Sequence, residues 1–254
     1  MGESGYMNNF TAGLISWLLL PVAGYYGLQI RRTTPRMPPP RGNQRGSLAT
    51  SPDRGPADWR LLIMGDSSAA GVGVDRVEEA LAPQLADIIH QRTGESVSWR
   101  TAGANSAEAR HLRDLILPNI EERDFTHIVL CVGTNDMKNF LTAMQFKKGF
   151  GGLLYAIHAR WPDAKVVWSP VLNMPDVPVL PPVLAWILKL RTQIINTMGF
   201  RMCRERHAVA AEPLPVPSVE GFAEDGFHAN AAGYRYWAEH LSTYVMDVEA
   251  PSAP

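Results

Sequence analysis

Two short motifs, far apart in the chain, hold side chains that could together perform nucleophilic catalysis. Gly65-Asp-Ser67 ends the apolar run Arg60-Leu-Leu-Ile-Met64 and offers a hydroxyl at the start of a Ser/Ala/Gly-rich stretch. Asp225-Gly-Phe-His228 offers a carboxylate and an imidazole three residues apart, two residues before the helix-capping candidate Asn230. A serine hydroxyl is barely nucleophilic until a base within hydrogen-bond reach takes its proton, and that base needs a third group to fix its tautomer. Ser67 is the expected nucleophile, with Ser68 as its rival. His228 is the expected general base, and Asp225 its orienting partner. Taken singly, each has a plain structural reading: Ser67 and Ser68 as turn serines that satisfy the loop backbone, and Asp225 as a turn aspartate. The six other histidines lie mostly inside helix or strand patterns and read as structural or solvated.

Attack on a carbonyl creates an oxyanion, which needs donors already in place. The backbone N–H groups of Ser67 and Gly103 and the side-chain amide of Asn135 are the three expected. The alternatives are a tight turn at Gly103 and an Asx turn at Asn135, beside Asp136.

Positioning these groups is the work of alternating strands and helices. Strands are expected at 60–64, 97–101, 127–132, 165–168 and 208–211. Helical faces are expected from Asp75, with Glu78 completing a capping box, and from Asn105 or Ser106, carrying Leu112, Leu115 and Ile116. Others are expected along Phe146, Phe150, Leu153 and Ile157, over 182–198, and from Asn230 to about Asp247. This alternation argues a parallel sheet covered on both faces, with ligands beyond the carboxyl ends of the strands. Ser67, Gly103 and Asn135 each follow a strand, so all three fall on one edge.

At this point the chain resembles the SGNH, or GDSL-type, hydrolase family. Gly65-Asp-Ser67-Ser68 is similar to its first block, Gly103 to its second-block glycine, and Gly133-Thr-Asn-Asp136 to its third. Asp225-Gly-Phe-His228, with Asn230 and Gly233-Tyr234 behind it, is similar to the last. The second block, Thr101-Ala-Gly-Ala-Asn-Ser106, departs in lacking an asparagine two residues before Gly103 and a second glycine. The resemblance implies a three-layer α/β/α, flavodoxin-like fold with a central, mostly parallel five-stranded sheet. It also implies hydrolysis of esters or thioesters by Ser67, Asp225 and His228, with no metal and no cofactor. A phosphate loop fails on its own terms: Gly71-Val-Gly73 is followed by Arg76 where a third glycine belongs, and no Gly-Lys-Ser/Thr follows the first strand.

The 254 residues, 46% hydrophobic, suffice for one well-buried domain and a tail, and a net charge of -1 gives no global field to recruit nucleic acid. Cys131 and Cys203 make no disulfide framework, and Cys131 reads as a small buried hydrophobe. From Tyr6 to Ile30 there is no charge, and the stretch is long enough to span a bilayer. Residues 1–30 are therefore expected to be an N-terminal hydrophobic helix serving as a single membrane span. Residues 31–57 read as a Pro/Arg-rich linker and 58–250 as the catalytic domain. Arginines after the span predict a cytoplasmic catalytic domain. A helix packed on that domain and an exported form with a signal peptide are the alternatives.

The Pro-rich run from Val171 to Pro182 would overhang the edge that bears Ser67. It is expected to be an acyl-binding wall or lid for a hydrophobic ester, with ordinary packing as the plain alternative. A carbohydrate O-deacetylase, or a non-catalytic lipid- or partner-binding module, are the competing functions.

Overall fold

The computed structural model describes residues 8–49, 55–216 and 218–247. Tyr6 and Met7 of the hydrophobic segment, Arg54 of the expected linker and the domain's end at 248–250 lie outside the described residues. In chain order the elements are α1 (Asn9–Leu18), α2 (Leu20–Thr33), β1 (Arg45–Leu48), β2 (Trp59–Gly65), α3 (Leu81–Thr93), β3 (Val97–Gly103), α4 (Ala109–His111), β4 (His127–Cys131), α5 (Thr134–Lys138), α6 (Ala143–Arg160), β5 (Lys165–Ser169), α7 (Pro182–Glu205), β6 (Val209–Ala210) and α8 (Ala231–Met246).

The strands form one sheet in the order β1-β3-β2-β4-β5-β6. All neighbours are parallel except β1, which runs antiparallel along β3. The five parallel strands have the flavodoxin-like order, whose switch point lies between the loops that follow β2 and β4. Alternate residues of the central strands feed opposite cores. Leu62, Met64, Ile128, Leu130, Val166 and Trp168 face α6 and α7, while Leu61, Ile63, Val129, Cys131 and Val167 face α3 and α8. Burial on both faces explains why these strands are continuous apolar runs.

Six strands stand where five were expected. The added one, β1, lies in the segment read as a linker. Its sequence, Arg45-Gly-Ser-Leu48, has no apolar alternation, and long-range contacts hold it. Arg45 and Arg100 share Glu122, the first at 3.0 Å. Gly46 lies under Trp99, where a Cβ would come within 2.5 Å of the indole. A short charged strand covers the edge of β3 that would otherwise be open.

Two helices start later than the pattern suggested. The chain at Asp75–Val77 is bound by Arg41, whose N–H donates to the Asp75 carbonyl while its own carbonyl accepts from the Val77 N–H. This bridge precludes a helix there, so a single 3-10 turn at Val77–Glu79 precedes α3. Ser106 takes a left-handed φ of 63°, which delays α4 to Ala109, and the run continues as a π turn over Leu112–Ile116.

The hydrophobic N-terminal segment is likewise two helices instead of one. They meet at 65°, and no single helix is long and apolar enough to cross a membrane, although the bent pair would pass by length and composition. Pro21 lies in the first turn of α2; inside a continuous helix it would remove an N–H and clash with the preceding turn. The pair packs along α7. Ala12 is buried with Leu190 and Ile194, and Arg191, 1% exposed, reaches Ser16 Oγ at 3.4 Å and the Leu141 carbonyl. Burial pulls the Arg191 guanidinium down to about 10. Phe10, Leu18 and Tyr25 turn outward and are 79%, 71% and 68% exposed.

Candidate active site

The turn after β2 is built by its own first residue. Asp66 Oδ1 accepts from the Ser68 N–H at 3.0 Å, and the Asp66 carbonyl accepts from the Ala70 N–H. Gly65 is required here because a Cβ would fall 2.2 Å from the Cys131 carbonyl oxygen of β4. The turn leaves Ser67 at the switch point with its Oγ turned towards the C-terminal loop.

That loop is equally constrained. Asp225 Oδ1 accepts from the N–H groups of Phe227 and His228, both at 2.9 Å, so the carboxylate folds the tetrapeptide around itself. Its Oδ2 lies 2.5 Å from His228 Nδ1, and His228 Nε2 lies 3.0 Å from Ser67 Oγ. Burial works against the Asp225 carboxylate, but the imidazole and the two N–H groups outweigh it and hold the carboxyl below its ordinary range. An ionised Asp225 requires the Nδ1–H tautomer, which leaves Nε2 free to accept from Ser67. Of the two adjacent serines, it is Ser67 whose hydroxyl lies within hydrogen-bond distance of His228.

Asn135 is buried at the start of α5, beside Ser67, where its Nδ2 donates to Asp66 Oδ2 at 3.2 Å and to the Ala107 carbonyl at 3.1 Å. Gly103 ends β3 beneath the serine turn, where a Cβ would lie 2.2 Å from Ala70 N; the close approach of two backbones accounts for the glycine. The residues of this loop that reach open space are Asn105 and Ser106, which line a cleft beside His228. Burial raises the carboxyls of both Asp66 and Asp136, the latter to about 7. Burial likewise raises the Cys131 thiol, in keeping with an inert core cysteine.

A cavity of about 260 Å³ opens in front of Ser67 and His228. Leu172, Met174 and Val177 from the Pro-rich run form one wall, and Leu214, Phe222 and Trp237 form the other. The Trp237 Nε1–H donates to Ser169 Oγ at 2.9 Å, which fixes the indole against the carboxyl end of β5. Lys138, which sequence reasoning passed over, reaches the mouth with its ammonium 4.9 Å from the Phe227 ring centroid. Its signal was its place one turn after Asn135, on the helix that the third block begins.

Solved structures with this fold include the esterase EstA from Pseudoalteromonas sp. (14% identity, 75% of this chain and 100% of that one, TM-score 0.60). They also include a lipase/acylhydrolase from Enterococcus faecalis (17% identity, 77% and 100%, TM-score 0.53). A third is Est24, described as a carbohydrate acetylesterase, from Sinorhizobium meliloti (14% identity, 74% and 99%, TM-score 0.52). At such identities the likeness is one of fold. No curated protein matches the sequence. Residues 63–236, more than half of the chain, match the GDSL-like lipase/acylhydrolase family, from the strand that leads into Ser67 to the helix behind His228, and the chain belongs to that family.

Proposed function

We propose that the protein is a serine hydrolase that cleaves carboxylic esters or thioesters through an acyl-enzyme, acting on a hydrophobic, lipid-like acyl group. The observation that carries this reading is the unbroken chain of hydrogen bonds from Asp225 through His228 to Ser67. In the first half-reaction Ser67 Oγ attacks the carbonyl carbon while His228 Nε2 takes the hydroxyl proton. The bond to the leaving oxygen or sulfur breaks, and that atom receives the proton from Nε2. In the second, water attacks the acyl-serine, gives its proton to Nε2, and Ser67 recovers it as the acid departs. The Ser67 N–H stabilises the oxyanion together with Asn135, whose amide must release its bond to Asp66 or to the Ala107 carbonyl to do so, and the N–H groups of the 103–106 loop are the remaining source of donors.

The apolar walls of the cavity favour an acyl chain over an acetyl group on a sugar. The exposed apolar side of α1 and α2, followed by Arg32, favours attachment to an anionic membrane surface in the manner of an interfacial helix. The positive charge on this side argues that such a surface is cytoplasmic.

The test is hydrolysis of p-nitrophenyl esters from acetyl to palmitoyl by the wild type and by Ser67→Ala. The expected result is a maximum at medium or long chains and loss of turnover in the variant on the order of 10⁶. An acetyl optimum would replace the lipid-like substrate with an O-acetyl one. Absence of turnover together with absence of labelling by a fluorophosphonate would leave a binding module on a hydrolase scaffold.

A further inference from the structure

A second, wider cleft of about 860 Å³ runs between α2 and the catalytic domain. One wall is the N-terminal arm, with Ala23, Gly27, Ile30 and the segment after it; the other includes Phe140, Leu184 and Phe227. His228 and Lys138 line both this cleft and the cavity in front of Ser67, whereas Ser67 lines only the cavity. That asymmetry orients an ester. The attacked carbon must lie within reach of Ser67 Oγ, so the acyl half belongs in the cavity. The leaving oxygen must lie within reach of His228 Nε2, from which it takes its proton, so the leaving half extends along the far side of the imidazole.

The cleft is not neutral. Arg31 and Arg36 line it from the arm and Lys138 from α5. Among the described residues no carboxylate lies within salt-bridge distance of any of the three, although Arg45, Arg60, Arg100 and Arg235 all have acidic partners. Of the carboxylates nearest the cleft, Asp225 is committed to His228 and to two backbone N–H groups, and Asp66 lies under Ser68 and Asn135. Lys138 already lies over the Phe227 ring and in the field of Asp66, which leaves Arg31 and Arg36, both exposed at the rim of the cleft, as the cations without a carboxylate partner among the described residues.

We propose that this cleft binds the leaving-alcohol half of the substrate and selects alcohols that carry an anionic group, a phosphate or a carboxylate. The N-terminal arm then supplies part of the substrate site. The proposal rests on the ester-hydrolase reading above.

The experiment compares three hexanoyl esters that share one acyl group: 1-hexanoylglycerol, 1-hexanoylglycerol 3-phosphate and the hexanoyl ester of glyceric acid. All are used as monomers without vesicles, so recruitment to a charged surface cannot contribute. The expected wild-type result is a higher kcat/KM for at least one anionic ester than for the neutral one, and the better of the two identifies the anion. In Arg31→Ala/Arg36→Ala the anionic-to-neutral ratio should fall about tenfold, chiefly through KM, as expected for two partly solvated ion pairs. Arg31→Lys/Arg36→Lys should keep most of the ratio. A wild type without preference for either anionic ester would overturn the proposal, as would a double-alanine variant that slows all esters equally. Failure of the wild type to cleave any of the three would instead remove the hydrolase reading beneath it.

Discussion

The hydroxyl of Tyr234 donates to the carbonyl of Val72 at 2.8 Å in a fully buried position, tying the helix behind His228 to the turn behind Ser67. The Val72 N–H in turn donates to the Ser67 carbonyl. Two motifs separated by most of the chain are thus joined by a bond that takes no part in the chemistry. Tyr234→Phe should leave the Val72 carbonyl unpaired and lower stability by about 1–3 kcal/mol. Thermal unfolding measures that loss, and kcat should fall with it because the Ser67–His228 distance is no longer held from behind.

Gly73 is a second brace. It has a φ of +111°, and a Cβ would lie 2.2 Å from the Ala229 carbonyl and 3.0 Å from His228 Cβ. Gly73→Ala must therefore push the His228 loop away. A displaced base should reduce kcat at least about tenfold, with a smaller change in KM. Unchanged kinetics in a folded variant would show that the loop yields freely.

Asp225→Asn keeps the shape of the loop but presents an amide to Nδ1 and favours the wrong imidazole tautomer. The expected fall in kcat is on the order of 10⁴ on p-nitrophenyl esters. Stability should also drop, since the charge-assisted bonds from the Phe227 and His228 N–H groups weaken.

Asp136 should lower stability as pH rises from about 4 to about 7, opposed over much of that range by His127, whose imidazole burial holds down at about 4. Burial pushes this carboxyl up to about 7, against the Ala109 N–H that donates to it and with help from the charge of Glu108. An unfolded aspartate titrates near 4, so between about 4 and 7 the folded chain holds a proton that the unfolded chain has released. The stability tied to that proton, at most roughly 4 kcal/mol, is present below about 4 and lost by about 7. Asp136→Asn should remove the falling part, so that the variant gains stability relative to the wild type as pH rises from about 4 to 7. Unfolding of both proteins from pH 4 to 8 checks this, and parallel curves would refute it.

The arm's outward side predicts behaviour at interfaces. The wild type should float with vesicles containing anionic lipid and be released by salt, because each arginine near such a surface contributes about 1 kcal/mol. Replacing Phe10, Leu18 and Tyr25 by serine should abolish flotation and spare hydrolysis of water-soluble esters, since none of the three lines the cavity or the cleft.

Much of this molecule was legible before its structure, for identifiable reasons. The central strands are buried on both faces, so Leu61–Met64 and Ile128–Cys131 read as apolar runs without need of their neighbours. The pairing of Asp225 with His228 is local, and a spacing of three residues suffices to suggest it. What stayed hidden depends on distant partners. Arg45–Leu48 becomes a strand because β3 and Glu122 are there to receive it. The start of α3 is set by Arg41, far upstream. Gly103 is a glycine because the Ala70 backbone, far upstream, comes against it, and no local pattern shows that approach. The apolar N-terminal segment has the composition of a span. That its inner side fits Leu190 and Ile194 of α7 is a property of the pair, not of the segment.

Arg191 gives that pairing a consequence for any shortened form of the chain. Its guanidinium lies under α1, with Ser16 as the side-chain acceptor and the Phe140 ring 5.1 Å away. Cutting the chain back to the sheet and its covering helices would uncover Leu190 and Ile194 beside a cation stripped of that acceptor. Such a fragment would keep Ser67, Asp225 and His228 but present an apolar flank along α7, and two copies would bury it against each other. Self-association of the truncated chain, in place of a smaller monomeric hydrolase, is the physical cost of treating the first helices as an accessory.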